Sequence, residues 1–266
     1  MSGSTSEGQV FHECYDRILK IVIDNPAKKN SFSPEMMAQL SDALTLLDRD
    51  DGLWVGVLCA VGENFTAGLD MPKFFGPNAT RKPRPEGNID PFGMANRCRK
   101  PIVTAVQGIV FTVGIEMMLA GDIVVAADDC RFCQMEAKRG IAPLGGAHFR
   151  FISRAGWGDA MYHLLLCDEF SAREAHRIGL VQEVVPAGRQ VERAMELAQA
   201  IARNAPVGYS GDERGGAKIH RSRRRGCDRD RSANPRPRPE HGRCGRGHQV
   251  VRRAPRRRVP GTLTPS

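Results

Sequence analysis

Two carboxylates stand where acidic side chains are uncommon. Glu116 lies in Gly114-Ile115-Glu116-Met117-Met118-Leu119, a helical turn with no other charge, and Glu136 ends Phe132-Cys133-Gln134-Met135-Glu136, just after a strand-like stretch. A Glu on an apolar helix is costly to bury unless it is paired, protonated or used. Partial desolvation lifts a carboxyl group towards neutrality, the range in which it can both take and give a proton. Pattern alone leaves two readings of Glu116, a satisfied buried carboxylate and an acid–base group, and it makes Glu136 an ordinary surface residue. Other chemistries lack their motifs. His148, His163 and His176 have no nucleophile motif near them, and no G-x-S-x-G is present. Neither G-x-G-x-x-G nor a phosphate-binding loop occurs, so nicotinamide or ATP use is unsupported. Cys130 and Cys133 form a C-x-x-C, but no second pair or His follows at zinc-ligand spacing, and they read as two small buried residues on a strand.

The elements that must hold these residues alternate. Ile18–Ile23 is a β-branched run ending at the turn signal Asn25-Pro26. Ser33-Pro34 places an N-cap before a proline at the first helical position, and Met37, Leu40, Leu44 and Leu47 follow as one apolar stripe. Trp54–Cys59 is a second buried strand, Ile102–Val106 a third and Ile123–Ala127 a fourth, with the Glu116 helix between the last two. Strand, helix and strand in alternation predict an α/β class. Residues 71–99, rich in Pro and Gly, read as a long irregular segment, either a surface insertion or a lid over a site. Ser171-Ala172-Arg173-Glu174 is a capping box with Gly179 as a helix stop, and Val191, Ala194, Met195, Ala198 and Ile201 give a last amphipathic helix. Trp157, Tyr162 and Leu164–Leu166 are expected in core and helix packing.

Composition alone would suggest a polyanionic partner, because the 266 residues carry a formal net charge of +9. The charge is not spread. Residues 209–266 hold 17 of the 39 Lys+Arg and only 5 of the 30 Asp+Glu, a net +12, while 1–208 carry −3. That tail has five Leu, Ile, Val or Phe in 58 residues. It cannot offset its own chain entropy by burial and is expected to be disordered. A basic arm for nucleic acid would fit Arg223–Arg225 and Arg256–Arg258, but no aromatic residues interleave with the arginines for base stacking. Arg, Gly and Pro in this mixture are also what GC-rich codons give out of register, and a shifted reading frame beyond about 208 is the favoured reading. No membrane partner is expected, because the apolar run from Val103 to Ala120 is interrupted by Thr104, Gln107, Thr112, Glu116 and two glycines. Eight cysteines after an opening MSGSTSEGQV, with neither a basic start nor an apolar stretch, point to a reducing, cytoplasmic setting.

Three blocks in order carry a resemblance. Pro101–Gly108 leads to Gly114-Ile115-Glu116 and on to Ala120-Gly121-Asp122-Ile123; Phe65-Thr66-Ala67-Gly68-Leu69-Asp70-Met71 precedes it; Gln134-Met135-Glu136, then Gly140, Pro143 and Gly145-Gly146, follows. This pattern resembles the crotonase (enoyl-CoA hydratase/isomerase) family over residues 12–208, with 1–11 a flexible start and 209–266 unlike the family. The resemblance implies an α/β spiral of repeated ββα units that binds an acyl-CoA. Coenzyme A is then part of the substrate, and no separate cofactor or metal is implied. By position, the backbone N–H groups of Leu69 and Val113 form an oxyanion hole, with Ala67, Gly68, Asp70, Met71 and Gly114 lining the substrate. Glu116 and Glu136 jointly activate water and deliver its proton, as in an enoyl-CoA hydratase. A double-bond isomerase is the same-class alternative; an impaired crotonase or a basic nucleic-acid-binding chain is the different-class one. The family implies a homotrimer or hexamer, here weakened because the C-terminal helical segment has no counterpart in 209–266. Inside the core, Thr112-Val113-Gly114 replaces the family's frequent glycine run, and Met135 a frequent proline.

Overall fold

The computed structural model describes residues 8–77, 79 and 83–204. The expected disordered tail at 209–266 and its frame-shift reading lie outside these residues. The elements run β1 (Gln9–Tyr15), β2 (Ile18–Asp24), α1 (Pro34–Arg49), β3 (Val55–Ala60), α2 (Met71–Phe75), β4 (Ile102–Val106), β5 (Ile109–Phe111), α3 (Val113–Ala120), β6 (Ile123–Ala127), β7 (Arg131–Cys133), α4 (Ala147–Leu166), β8 (Phe170–Ser171), α5 (Ala172–Arg177), β9 (Glu183–Val185) and α6 (Gln190–Ala202).

Successive side chains on a strand point to opposite faces, and the central strands are apolar at nearly every position, so both faces of their sheet must be covered. They form a sheet in the order β1-β2-β3-β4-β6-β9, with β1 antiparallel to β2 and the other pairs parallel. One face, with Leu19, Ile21, Leu58 and Val106, packs under α1 and α3. The other, with Val22, Val57, Val103 and Val125, packs against Ala194 and Ala198 of α6, whose small side chains one turn apart sit flat on the strands. A smaller sheet, β5-β7-β8, lies beside it.

The implied ββα repeat is visible in how the chain visits the two sheets. After β4 it enters β5 and then α3; after β6 it enters β7 and then α4. Two single-residue bridges extend the series backwards: Thr66, between β3 and α2, pairs with Val110 of β5, and Phe32, between β2 and α1, pairs with Leu69. Each unit therefore ends its second strand in a turn towards a helix. Leu69, Val113 and Glu136 all lie two or three residues past such a strand or bridge. The fold brings residues far apart in sequence to equivalent places in neighbouring turns.

Four expectations need correction. β1 starts at Gln9, so residues 9–11 belong to the sheet and are not a flexible start; Gln9, Val10 and Phe11 pair with Asp24, Ile23 and Val22. Trp157, Tyr162, Leu165 and Leu166 are exposed and outside the core. α4 is broken at Gly156 (φ +76°, ψ 175°), and Ala147, Phe151, Ala160 and His163 take its inward positions; the His163 ring packs 4.2 Å from that of Phe170. The Pro/Gly-rich stretch is no detached insertion: it opens with α2, and Ile89 and Cys98 are buried in the main core. Its turn is built by Asp90, whose carboxylate accepts the N–H groups of Phe92, Met94 and Ala95. Glu136, a surface residue by pattern, is 7% exposed.

Candidate active site

α3 is apolar on all sides, which is the signature of a helix buried all round, and Val113 to Leu119 are buried without exception. Glu116 is its single charge and is 1% exposed. The carboxylate is held from outside the helix. Its Oε1 accepts the N–H of Gly145 at 2.8 Å and that of Ala147 at 3.1 Å, two groups at the entry to α4. Gly145 is required there by close approach: a Cβ would stand 2.5 Å from Glu116 Oε2 and 2.6 Å from the Phe92 ring. Behind this loop lies Arg150, buried on the first turn of α4, donating to the carbonyls of Gly145 (2.6 Å) and Phe92. Burial dominates the titration of Glu116 and pushes it up to about 7; the Ala147 N–H opposes this, the charge of Glu136 reinforces it, and the Gly145 N–H and Arg150 oppose it more weakly.

Glu136 follows β7, where its carbonyl accepts the N–H groups of Arg139 and Ile141. Burial raises its carboxyl above the usual range as well. Its Oε2 is buried with no hydrogen-bond partner among the described residues. A carboxylate oxygen left without a partner in a protein interior is expensive, and a catalytic role is one of the few things that account for it.

The two loops with expected amide donors run side by side. Phe111 N–H donates to Thr66 O, and Gly114 sits so close that a Cβ on it would stand 2.6 Å from the Thr66 methyl. In the first loop, Phe32 N–H donates to Gly68 O and Asp70 N–H to Phe32 O, which passes over the N–H of Leu69. Val113 is the first residue of α3, so its N–H lies ahead of the helical ladder. Ala67 N–H is used by Lys29 O, Asp70 pairs with Lys28 at 3.1 Å, and Met71 opens α2. The fold thus brings Leu69, Val113, Gly114 and Glu116 into adjoining segments, and Thr112 N–H bonded to Cys133 O (2.9 Å) ties these to the strand leading to Glu136. Cys130 and Cys133 are both buried, and no group of three or more His, Cys, Asp or Glu placed to hold a metal occurs among the described residues. The Gly145–Ala147 amides and Arg150 were outside the expected site. The signal for Arg150 was an arginine set among Phe149, Phe151 and Ile152 just after Gly-Gly.

A family model described as enoyl-CoA hydratase/isomerase matches residues 13–210. The chain belongs to that family. Among curated members, an enoyl-CoA hydratase of Mycobacterium tuberculosis is 32% identical over 198 residues, covering 71% of this chain and 73% of that protein. A 1,2-epoxyphenylacetyl-CoA isomerase of Escherichia coli is 30% identical, covering 72% and 75%. A solved structure from Mycobacterium abscessus, described as a probable enoyl-CoA hydratase/isomerase, is 42% identical with a TM-score of 0.75, over 79% of this chain and 82% of that one. The α/β crotonase fold is therefore common to this chain and its relatives. Among the described residues, no helix of this family member is long and apolar enough to cross a membrane.

The burial of Glu116 carries a stability signature. Its ordinary carboxyl value is 4.5, and in the fold it titrates near 7. Between these values the folded chain holds a proton that the unfolded chain has lost, so stability falls as pH rises through that window. Above it the full penalty, on the order of 3 kcal/mol, is present. Glutamine has no charge to bury. Glu116→Gln is expected to match the parent near pH 4 and to exceed it by up to about that amount at pH 8. Urea unfolding at the two pH values measures this, and an equal offset at both would contradict it.

Proposed function

We propose that this family member is an enoyl-CoA hydratase, with Glu116 and Glu136 as its acid–base pair and the N–H groups of Leu69 and Val113 as its oxyanion hole. The observation that carries the reading is the pairing of two buried carboxyl groups that feel each other's charge, one fixed through a single oxygen by Gly145 and Ala147 and the other with an oxygen that meets no donor among the described residues. A water held between them attacks the β-carbon of an enoyl thioester. As its oxygen bonds to that carbon, one carboxylate takes its proton and the π electrons move onto the thioester oxygen. The enolate oxygen is stabilised by the two amide dipoles, which are aimed before the reaction begins and need no reorganisation. Collapse of the enolate takes a proton at the α-carbon from a carboxyl group, completing the addition of water across the 2,3 double bond. Raised carboxyl values suit this work, because each group exchanges protons most easily when its pKa lies near the working pH.

Val113 takes a place where a glycine is frequent in the family. An N–H serves from either residue, and the branched side chain, buried here, crowds the acyl group. Trp157, Tyr162 and Leu165, large and exposed on one helix, support the implied self-association by offering apolar surface that a second copy could cover. The test is loss of the conjugated-thioester absorbance with a panel of 2-enoyl-CoA chain lengths and the full chain. Turnover that falls with acyl length is expected, and no turnover with any member of the panel would overturn the reading.

A further inference from the structure

Thr112 has a backbone that threonine resists. Its φ of +50° and ψ of −113° lie where a branched Cβ meets its own backbone, a region open to glycine. It caps α3 without a side-chain cap bond, so helix capping does not explain why a threonine is kept there. The backbone is pinned on both sides. Its N–H donates to Cys133 O at 2.9 Å, and its carbonyl accepts the N–H of Ile115 at 3.0 Å and of Glu116 at 3.2 Å. Strain of this kind persists only where the surroundings over-determine it, and it gathers at functional sites.

The side chain shows what is gained. A Cβ placed on Gly68 would stand 2.6 Å from Thr112 Oγ1, so the hydroxyl rests directly on Gly68, itself at φ +113°. Gly68 and Thr112 immediately precede Leu69 and Val113. The peptide units that present those two N–H groups are therefore separated by one side chain, that of Thr112. Glycine at 112 would adopt the same φ and ψ freely and leave this gap unfilled.

We propose that Thr112 is a positioning residue whose side chain sets the distance and relative tilt of the Leu69 and Val113 N–H groups, and so the fit of the oxyanion hole. This rests on the hydratase reading above. A group that only positions acts on the reaction more than on ground-state binding, since small displacements weaken charge stabilisation steeply.

The experiment compares Thr112→Gly, Thr112→Ala and Thr112→Ser in the full chain. It reads kcat and KM for crotonyl-CoA, the ultraviolet enolate band of bound acetoacetyl-CoA, and the denaturant midpoint. Thr112→Gly is expected to lower kcat roughly ten- to hundredfold with little change in KM and to weaken the enolate band, while unfolding at the same or a higher denaturant concentration. Ser and Ala share one backbone restriction, so their difference reads the hydroxyl: Ser should restore most of kcat and the band, and Ala should not. Parent-like kcat in Thr112→Gly, or Ser no better than Ala, would overturn the proposal. If the unsubstituted chain neither hydrates crotonyl-CoA nor holds the acetoacetyl-CoA enolate, the hydratase reading falls and takes this inference with it. If it does both and the variants are indifferent, only this inference falls.

Discussion

Glu116→Gln should lower kcat for enoyl-CoA hydration by roughly 10²- to 10⁴-fold while changing KM little, the range typical of losing a positioned acid or base. Glutamine keeps the shape of the side chain, and its carbonyl oxygen can still accept the N–H groups of Gly145 and Ala147 that now hold Glu116 Oε1. The loss is therefore chemical, because an amide neither takes nor gives a proton near neutral pH. The same substitution is expected to raise stability at pH 8, so a fall in activity cannot be assigned to unfolding. Steady-state rates with crotonyl-CoA check it, and a fall of less than about tenfold would contradict the assigned role.

Glu136→Gln is the second large effect, and it discriminates between reaction types. Glu136 keeps a buried Oε2 without a partner among the described residues, and the charge of Glu136 raises the carboxyl of Glu116. A hydratase needs both groups on one water, so this substitution should also lower kcat by roughly 10²- to 10⁴-fold. The double substitution should be little worse than either single one, because residues that act as a unit are strongly non-additive. If Glu136→Gln keeps most of the hydration that Glu116→Gln loses, one carboxylate suffices and the joint role of the two glutamates fails; if its product is instead an enoyl-CoA with a shifted double bond, the isomerase reading replaces the hydratase one.

The two glutamates were not equally visible in the sequence. Glu116 stood out because one charge on an otherwise apolar helix breaks a local pattern. Glu136 broke none. Its burial comes from the turn after β7, where Arg139 and Ile141 fold back on its carbonyl, and single-sequence patterning does not see such packing. The long strands β2, β3, β4 and β6 were readable as apolar runs, whereas β5 and β7 are three residues each and β8 two, too short to show a period. β1 was missed for a different reason: it is an edge strand in which only Val10 is buried. Trp157 and Tyr162, expected in core and helix packing, are exposed on α4, whose break at Gly156 no periodicity in the sequence announces. The hold on Glu116 by the Gly145–Ala147 amides joins positions about thirty apart in the chain, so only the fold reveals it. The net charge gave direction once divided, since the described residues belong to the acidic part of the chain and the +12 lies beyond them.

The measurement that bears most directly on the hydratase reading is isotopic. Crotonyl-CoA is incubated with the full chain in water enriched in heavy oxygen, and the acyl product is analysed by mass spectrometry. One heavy oxygen on the β-carbon of a 3-hydroxyacyl-CoA, formed by the parent and lost in Glu116→Gln, is the predicted result. Turnover of an enoyl-CoA to a shifted double bond with no heavy oxygen incorporated would contradict it.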